Sequence, residues 1–165
     1  MTLAEAAAEA DALAAAGDAK GLATLRGQWD EEVEHAARHA DYRLRAQAYR
    51  AIAQFRFRQK IQLLRRGLED ESPAARGSAL IALEGLSRDH PGDVNGMRPL
   101  LHELASNDPN AAVRRLAIVC LRNGTPERQT IQLLHGIAED DEGDAEVRKA
   151  AKAVATMLQK RANTR

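Results

Sequence analysis

Cysteine and aromatic residues are scarce in this 165-residue sequence. It holds one Cys, one Trp, two Tyr and two Phe. A single Cys excludes an intramolecular disulfide and fits a reducing compartment, so we expect a cytoplasmic protein. No apolar run approaches the roughly 20 residues that cross a bilayer, and we expect no membrane association. The first residues lack a basic segment and carry Glu5 and Glu9, so we expect no signal peptide.

The sequence also carries no formal net charge. Lys and Arg together number 24, as do Asp and Glu, which argues against a uniformly basic nucleic-acid-binding protein. Aromatic residues are few, whereas Ala alone fills 33 positions. Because Ala, Leu, Arg and Glu favour helices while β-branched and aromatic residues favour strands, the composition predicts an all-α fold. The Ala and Arg content also indicates a bacterial origin.

A short pattern recurs along the chain: a hydrophobic or Ala residue, then Arg, and an Ala three positions after the Arg. Its occurrences are Leu44-Arg45 with Ala48, Ala75-Arg76 with Ala79, Val113-Arg114 with Ala117, and Val147-Arg148 with Ala151. An acid precedes three of these Arg residues by six positions, namely Asp70, Asp108 and Glu142, whereas His39 takes that place in the first. A second helical signal lies upstream at 61–68, 98–104 and 130–137, so each unit is predicted to be two amphipathic helices joined by a tight turn.

The stretch DPNAAVRRLAIVCL at 108–121 resembles a HEAT repeat of the bacterial HEAT-like type, and the resemblance covers roughly residues 40–160. It implies a right-handed α-solenoid of stacked helical hairpins, and a non-catalytic scaffold that binds proteins, often on a concave face built by second helices. We expect one helical-repeat domain over residues 1–165. Its expected parts are N-terminal capping helices at 1–39, repeat groups at 40–68, 69–96, 97–124 and 125–160, and a frayed tail at 161–165.

A helical-wheel argument predicts which side of the second helices is exposed. Positions one, four, five and eight after the repeat Arg point away from the predicted core. They hold Tyr49, Arg50, Glu84, Arg115, Arg122, Lys149 and Lys152. The bases among them predict a binding surface for a partner protein with an acidic surface. Leu80, Ile81, Ile118 and Val119 share these positions, either because they pack against the next repeat or because they form the apolar centre of an interface.

Charge is unevenly distributed despite the neutral total. Residues 42–66 contain eight bases and no acid, and Phe55 and Phe57 alternate with Arg56 and Arg58. One interpretation is a second binding patch at Arg56 and Arg58, for an acidic protein or for a phosphate backbone. The other is a connection whose bases pair with neighbouring acidic helices, such as the segment WDEEVE at 29–34. The sequence leaves both open.

Chemistry-bearing motifs are sparse. No phosphate-binding Gly-rich loop, nucleophile elbow or zinc spacing occurs, so we predict no catalytic residue, metal or cofactor. His35 and His39 share a helix side near Glu31 and Glu32, an arrangement more typical of a solvated polar face than of a metal site. Cys120 is expected in the core. The repeat Arg residues are expected to pair with turn acids within or between repeats rather than to bind a ligand.

The sequence therefore predicts a non-catalytic adaptor that mediates protein–protein interaction. One alternative is a nucleic-acid-binding protein of the HEAT-like type that uses the basic block 42–66. Another is a chaperone subunit similar to those of bilin lyases, which rests on the resemblance alone.

Overall fold

The computed structural model describes residues 1–164, and within them helices are the only extended regular structure. The helices are α1 Leu3–Ala15, α2 Ala19–Ala37, α3 Tyr42–Gln54, α4 Ile61–Leu68, α5 Pro73–Ser87, α6 Pro91–Asn95, α7 Arg98–Asn107, α8 Ala111–Leu121, α9 Arg128–Ala138 and α10 Ala145–Asn163, with a 3₁₀ turn at Arg58–Lys60. The predicted all-α helical-repeat fold is confirmed. No helix in this stretch combines the length and the apolar character needed to cross a membrane.

Side-chain caps fix where several helices begin. Thr2 and Glu5 form a reciprocal capping box at the start of α1. Asp18 accepts from the Gly21 N–H at 2.8 Å to start α2, and Asn110 accepts from Val113 at 3.1 Å to start α8. Each side chain satisfies an N–H group that has no partner inside its helix.

The contacts divide the chain into two compact units, Met1–Leu86 and Ser87–Arg165, where the sequence predicts a single domain. In the first unit, α2 pairs with α3, α1 packs against both, and α4 lies against α5. In the second unit, α7 pairs with α8, α9 pairs with α10, and α10 also packs on α8. Each repeat Arg therefore lies on the second helix of a pair, as the spacing predicts.

Small residues let the paired helices approach closely. The repeat alanines Ala48, Ala79, Ala117 and Ala151 are completely buried. A Cβ atom added to Gly67 on α4 would lie 2.7 Å from the Ala79 Cβ on α5. Glycine is thus required there by the distance between two helices rather than by an unusual backbone angle.

Helix α10 extends further than the sequence predicts. The expected frayed tail at 161–165 is wrong for residues 161–163, which continue α10, while Arg165 lies outside the described residues. Arg161 donates a hydrogen bond of 2.7 Å to the Gly124 carbonyl, which ties the last turn of α10 to the segment before α9. That bond stabilises a helix end that the polar sequence RANTR does not predict.

Candidate protein-binding surfaces

Three of the four repeat Arg residues, Arg45, Arg76 and Arg114, close their own turns by binding main-chain carbonyl groups. Arg45 donates to the His39 carbonyl at 2.9 Å, Arg76 to that of Asp70 at 2.9 Å, and Arg114 to that of Asp108 at 2.7 Å. In each case the acceptor lies six residues before the Arg. A guanidinium at this position satisfies a carbonyl left free where the first helix of the pair ends. At these three positions the repeat Arg is therefore a structural residue.

Arg45 also joins two successive turns through a part-buried ion pair. Its Nε and Nη2 donate to the two carboxylate oxygens of Asp70 at 2.7 and 2.9 Å, and the two side chains are only 12% and 6% exposed. Burial alone would raise the pKa of Asp70, but the hydrogen bonds from Arg45, Ser72 and Tyr49, together with the positive charge of Arg45, outweigh it and hold the pKa below its usual value. The predicted pairing of a repeat Arg with the next turn acid is confirmed here.

The residue six positions before the repeat Arg also contributes its side chain, which accepts a hydrogen bond from a main-chain N–H of the same turn in three repeats. The Asp70 carboxylate accepts from the Ser72 N–H, and the Asp108 carboxylate accepts from the Asn110 N–H, both at 2.9 Å. In the first repeat the His39 Nδ1 accepts from the Asp41 N–H at the same distance. The histidine that interrupts the acidic pattern in the sequence thus supplies the same hydrogen bond with a ring nitrogen.

We expect His39→Asp to retain the free energy of unfolding or to raise it by up to about 1 kcal/mol, since a charged acceptor makes a stronger hydrogen bond than a neutral one. His39→Ala should lower it by about 1 kcal/mol, because the Asp41 N–H loses its acceptor. Urea unfolding followed by circular dichroism measures both variants. Equal stability of the Ala and Asp variants would contradict this role for the ring.

Much of the basic block is engaged within the molecule. The Lys60 side chain, 7% exposed, binds Asp30 at 2.5 Å and Glu34 at 2.8 Å. Burial alone would lower the pKa of Lys60, but the hydrogen bonds that it donates to both carboxylates, together with their negative charges, outweigh burial and raise the pKa above its usual value. The ammonium group also lies 4.8 Å from the centre of the Phe57 ring. At Lys60 the structure favours pairing with the acidic segment 29–34.

Arg56 and Arg58, predicted as a second binding patch, are also held by intramolecular contacts. Arg56 has φ of 52° in the left-handed region, and its guanidinium binds Asp11 at 2.8 Å. Arg58 is half-buried and donates to the Leu86 carbonyl at 3.3 Å. Phe55 and Phe57, which alternate with these arginines, are buried in the core, so they offer no stacking surface for a nucleic-acid base.

The predicted exposed side of the second helices is partly wrong. Tyr49 is buried, with its hydroxyl 3.3 Å from Asp70, and Glu84 is buried as well. Leu80 and Ile118, at the same position of the repeat as Tyr49, are completely buried, which identifies that position as core. Ile81, one residue further along, is 51% exposed.

Four of the predicted binding bases remain available to a partner. Arg50 in the first unit and Arg115, Lys149 and Lys152 in the second are exposed, and none forms a hydrogen bond or ion pair within residues 1–164. Arg122 is half-buried and has an intramolecular contact. Since α8 and α10 pack together, the second unit presents its three free bases on two neighbouring helices.

The first unit contains a groove of about 420 Å³ at which α1, α3 and α5 meet. Its walls consist of small, apolar and amide side chains and one base: Ala4, Ala7, Gln47, Arg50, Ala53, Gln54, Ile81 and Ala82. Sequence reasoning missed this groove, although Arg50 and Ile81 occupy equivalent positions of successive repeats. The sequence does not predict that α1 packs against α3, and without that contact the groove cannot be located.

A metal site does not form at the paired histidines. Nowhere in residues 1–164 do three His, Cys, Asp or Glu side chains converge as metal ligands. His35 and His39 pack edge to face with ring centres 6.3 Å apart, and His39 already uses Nδ1 for the turn. Cys120 is fully buried.

The paired helices, the repeated turn geometry and the buried repeat alanines together define an all-α helical-repeat protein. Comparison with known families identifies these repeats: residues 31–103 match the model described as HEAT repeats. Residues 31–103 are accordingly identified as HEAT repeats. No curated protein matches the sequence.

Proposed function

We propose that this protein is a non-catalytic adaptor that binds another protein through the exposed bases of its second helices. HEAT repeats are commonly scaffolds for protein interaction. The observation that carries the proposal is the set of exposed bases without intramolecular partners in the described chain, namely Arg50, Arg115, Lys149 and Lys152.

The chemistry of these bases defines the partner. Several other bases are compensated internally, among them Lys60, Arg56 and Arg45. Uncompensated positive charge on packed helices attracts a surface of opposite charge and accelerates encounter with it. An acidic protein surface fits better than nucleic acid, because much of the basic block that would contact phosphates is engaged with this chain's own acids. A partner in the bacterial cytoplasm agrees with the single buried Cys120.

Peptides selected on the purified protein from a displayed random library provide a defined probe. Arg115→Glu combined with Lys149→Glu should weaken their binding by about tenfold, because two attractions become repulsions. Lys20→Glu combined with Arg128→Glu is the matched control, since both residues are exposed and the net charge changes equally. Fluorescence anisotropy at two salt concentrations measures the affinity.

An equal loss in both double variants would show that only total charge matters and would contradict the proposed surface. A fragment of duplex DNA serves as a second probe. If it binds as tightly as the selected peptides and loses affinity in the same variant, the nucleic-acid function replaces the adaptor.

A further inference from the structure

We propose that the groove between α1, α3 and α5 binds an amphipathic α-helix of the partner, with an apolar side chain packed on Ile81 and an acidic side chain paired with Arg50. This inference rests on the proposed function and adds the kind of segment that is recognised. It concerns the first unit alone, whereas the bases Arg115, Lys149 and Lys152 belong to the second.

The groove offers apolar surface that the fold leaves uncovered. Ile81 is 51% exposed although its neighbours Leu80 and Ala82 are buried. Around it, the alanines of α1, α3 and α5 present methyl groups and leave space for larger side chains. A volume of 420 Å³ admits a few anchoring side chains, and the rest of the ligand would lie above the groove. An apolar side chain of the partner would fill this space and remove both surfaces from water.

Arg50 determines the charge of the occupant. It lies in the groove wall one helical turn from Gln47 and from Gln54 on α3. The described chain provides no carboxylate for it, in contrast to Arg45, Arg56 and Lys60 nearby in the sequence. A guanidinium next to an apolar surface selects a ligand that carries a carboxylate beside its apolar anchor.

The backbone of the walls favours a helix over an extended segment. All three walls are α-helices, whose main-chain N–H and C=O groups are bonded within each helix. An extended peptide would find no free edge to pair with and would bury its own polar groups without partners. A helix satisfies its main chain internally and can present apolar anchors three or four residues apart with an acid on the adjoining turn.

The test uses peptides selected on the full-length wild-type protein. Ile81→Asp and Arg50→Glu should each weaken binding of these peptides by about tenfold or more. Met157→Asp and Arg128→Glu are the matched controls, because Met157 is 43% exposed on α10 and Arg128 is an exposed base on α9 that neither proposed surface includes. Circular dichroism of each variant alone checks the fold, and the helix signal should increase when peptide and protein are mixed.

A charge exchange tests the pairing directly. Replacing the acidic residue of a selected peptide by Lys should weaken binding to the wild type and restore it to Arg50→Glu. The groove proposal is contradicted if the peptides bind without gaining helix, or if Ile81→Asp leaves their affinity unchanged. If Arg115→Glu combined with Lys149→Glu lowers the affinity while Ile81→Asp and Arg50→Glu leave it unchanged, the adaptor function stands through its second unit and the groove inference fails. If sedimentation shows a dimer that Ile81→Asp dissociates, the occupant is a second copy of this chain. A selection that returns no binder contradicts the adaptor function itself.

Discussion

Asp70→Asn is expected to lower the free energy of unfolding by about 3 kcal/mol, because it leaves the part-buried guanidinium of Arg45 without its anion. Both oxygens of Asp70 are bound by Arg45, and the same carboxylate receives the Ser72 N–H. Glu71→Gln is the matched control: this side chain is 91% exposed and lies 3.8 Å from Arg45, so its loss should cost less than about 1 kcal/mol. Urea unfolding of the three proteins measures the difference.

The pH dependence provides a second readout of the same pair. The pKa of Asp70 is lower in the folded protein than its usual value, so the folded state favours the ionised carboxylate. Its contribution is therefore present above the unfolded pKa of about 3.9 and is lost as the pH falls through the folded pKa. The stability gap between wild type and Asp70→Asn should narrow in acid. A gap that stays constant down to pH values below both pKa values would contradict the ionic origin of the effect.

The turn network shows what a repeat pattern predicts and what it leaves undetermined. The repeat pattern predicts that a repeat Arg pairs with an acid of its own or an adjoining turn, and the structure contains one such pair between Arg45 and Asp70. The carbonyl acceptors six residues before Arg45, Arg76 and Arg114 are invisible in the sequence, because every residue has a carbonyl group whatever its side chain. This explains why His39 can replace an acid without changing the turn: the main-chain acceptor remains, and the ring nitrogen supplies the side-chain one.

The helical wheel failed at Tyr49 for a geometrical reason. A wheel assumes one buried side, whereas α3 contacts α1, α2 and α4 and is covered over most of its circumference. Tyr49, Leu80 and Ile118 share one position of the repeat, and that agreement was the signal of a second buried side. Lys152 takes this position on α10, which no further helix follows within residues 1–164, and it is exposed.

The two interpretations of the basic block could not be separated by local pattern. The carboxylates that bind Lys60 belong to α2, 26 and 30 residues earlier in the chain. Only the packing of α2 against the segment after α3 brings these charges together. The groove of the first unit has the same origin, since its walls come from three helices whose adjacency no short motif encodes.

At the cluster formed by Lys60, Asp30 and Glu34, the cost of removing the two acids can be compared with the cost of removing the base. Asp30→Asn combined with Glu34→Gln should lower the free energy of unfolding by about 3 kcal/mol, because an ammonium group that is 7% exposed loses both carboxylates. Lys60→Met should cost only about 1 kcal/mol. The methionine side chain can follow the same apolar path beside Phe57 as the lysine stem. Asp30 and Glu34 are 54% and 38% exposed, so they stay hydrated without Lys60.

The decisive quantity is the difference in free energy of unfolding between these two variants, and urea unfolding at neutral pH measures it. The pKa of Lys60 is raised by folding, so its contribution is fully present below the unfolded value of about 10.4 and is lost only as the pH rises through the folded value. The ordering of the variants should therefore be constant between pH 6 and 9. If Lys60→Met proved as damaging as the removal of both carboxylates, packing of the lysine stem rather than compensation of its charge would determine the stability of this segment.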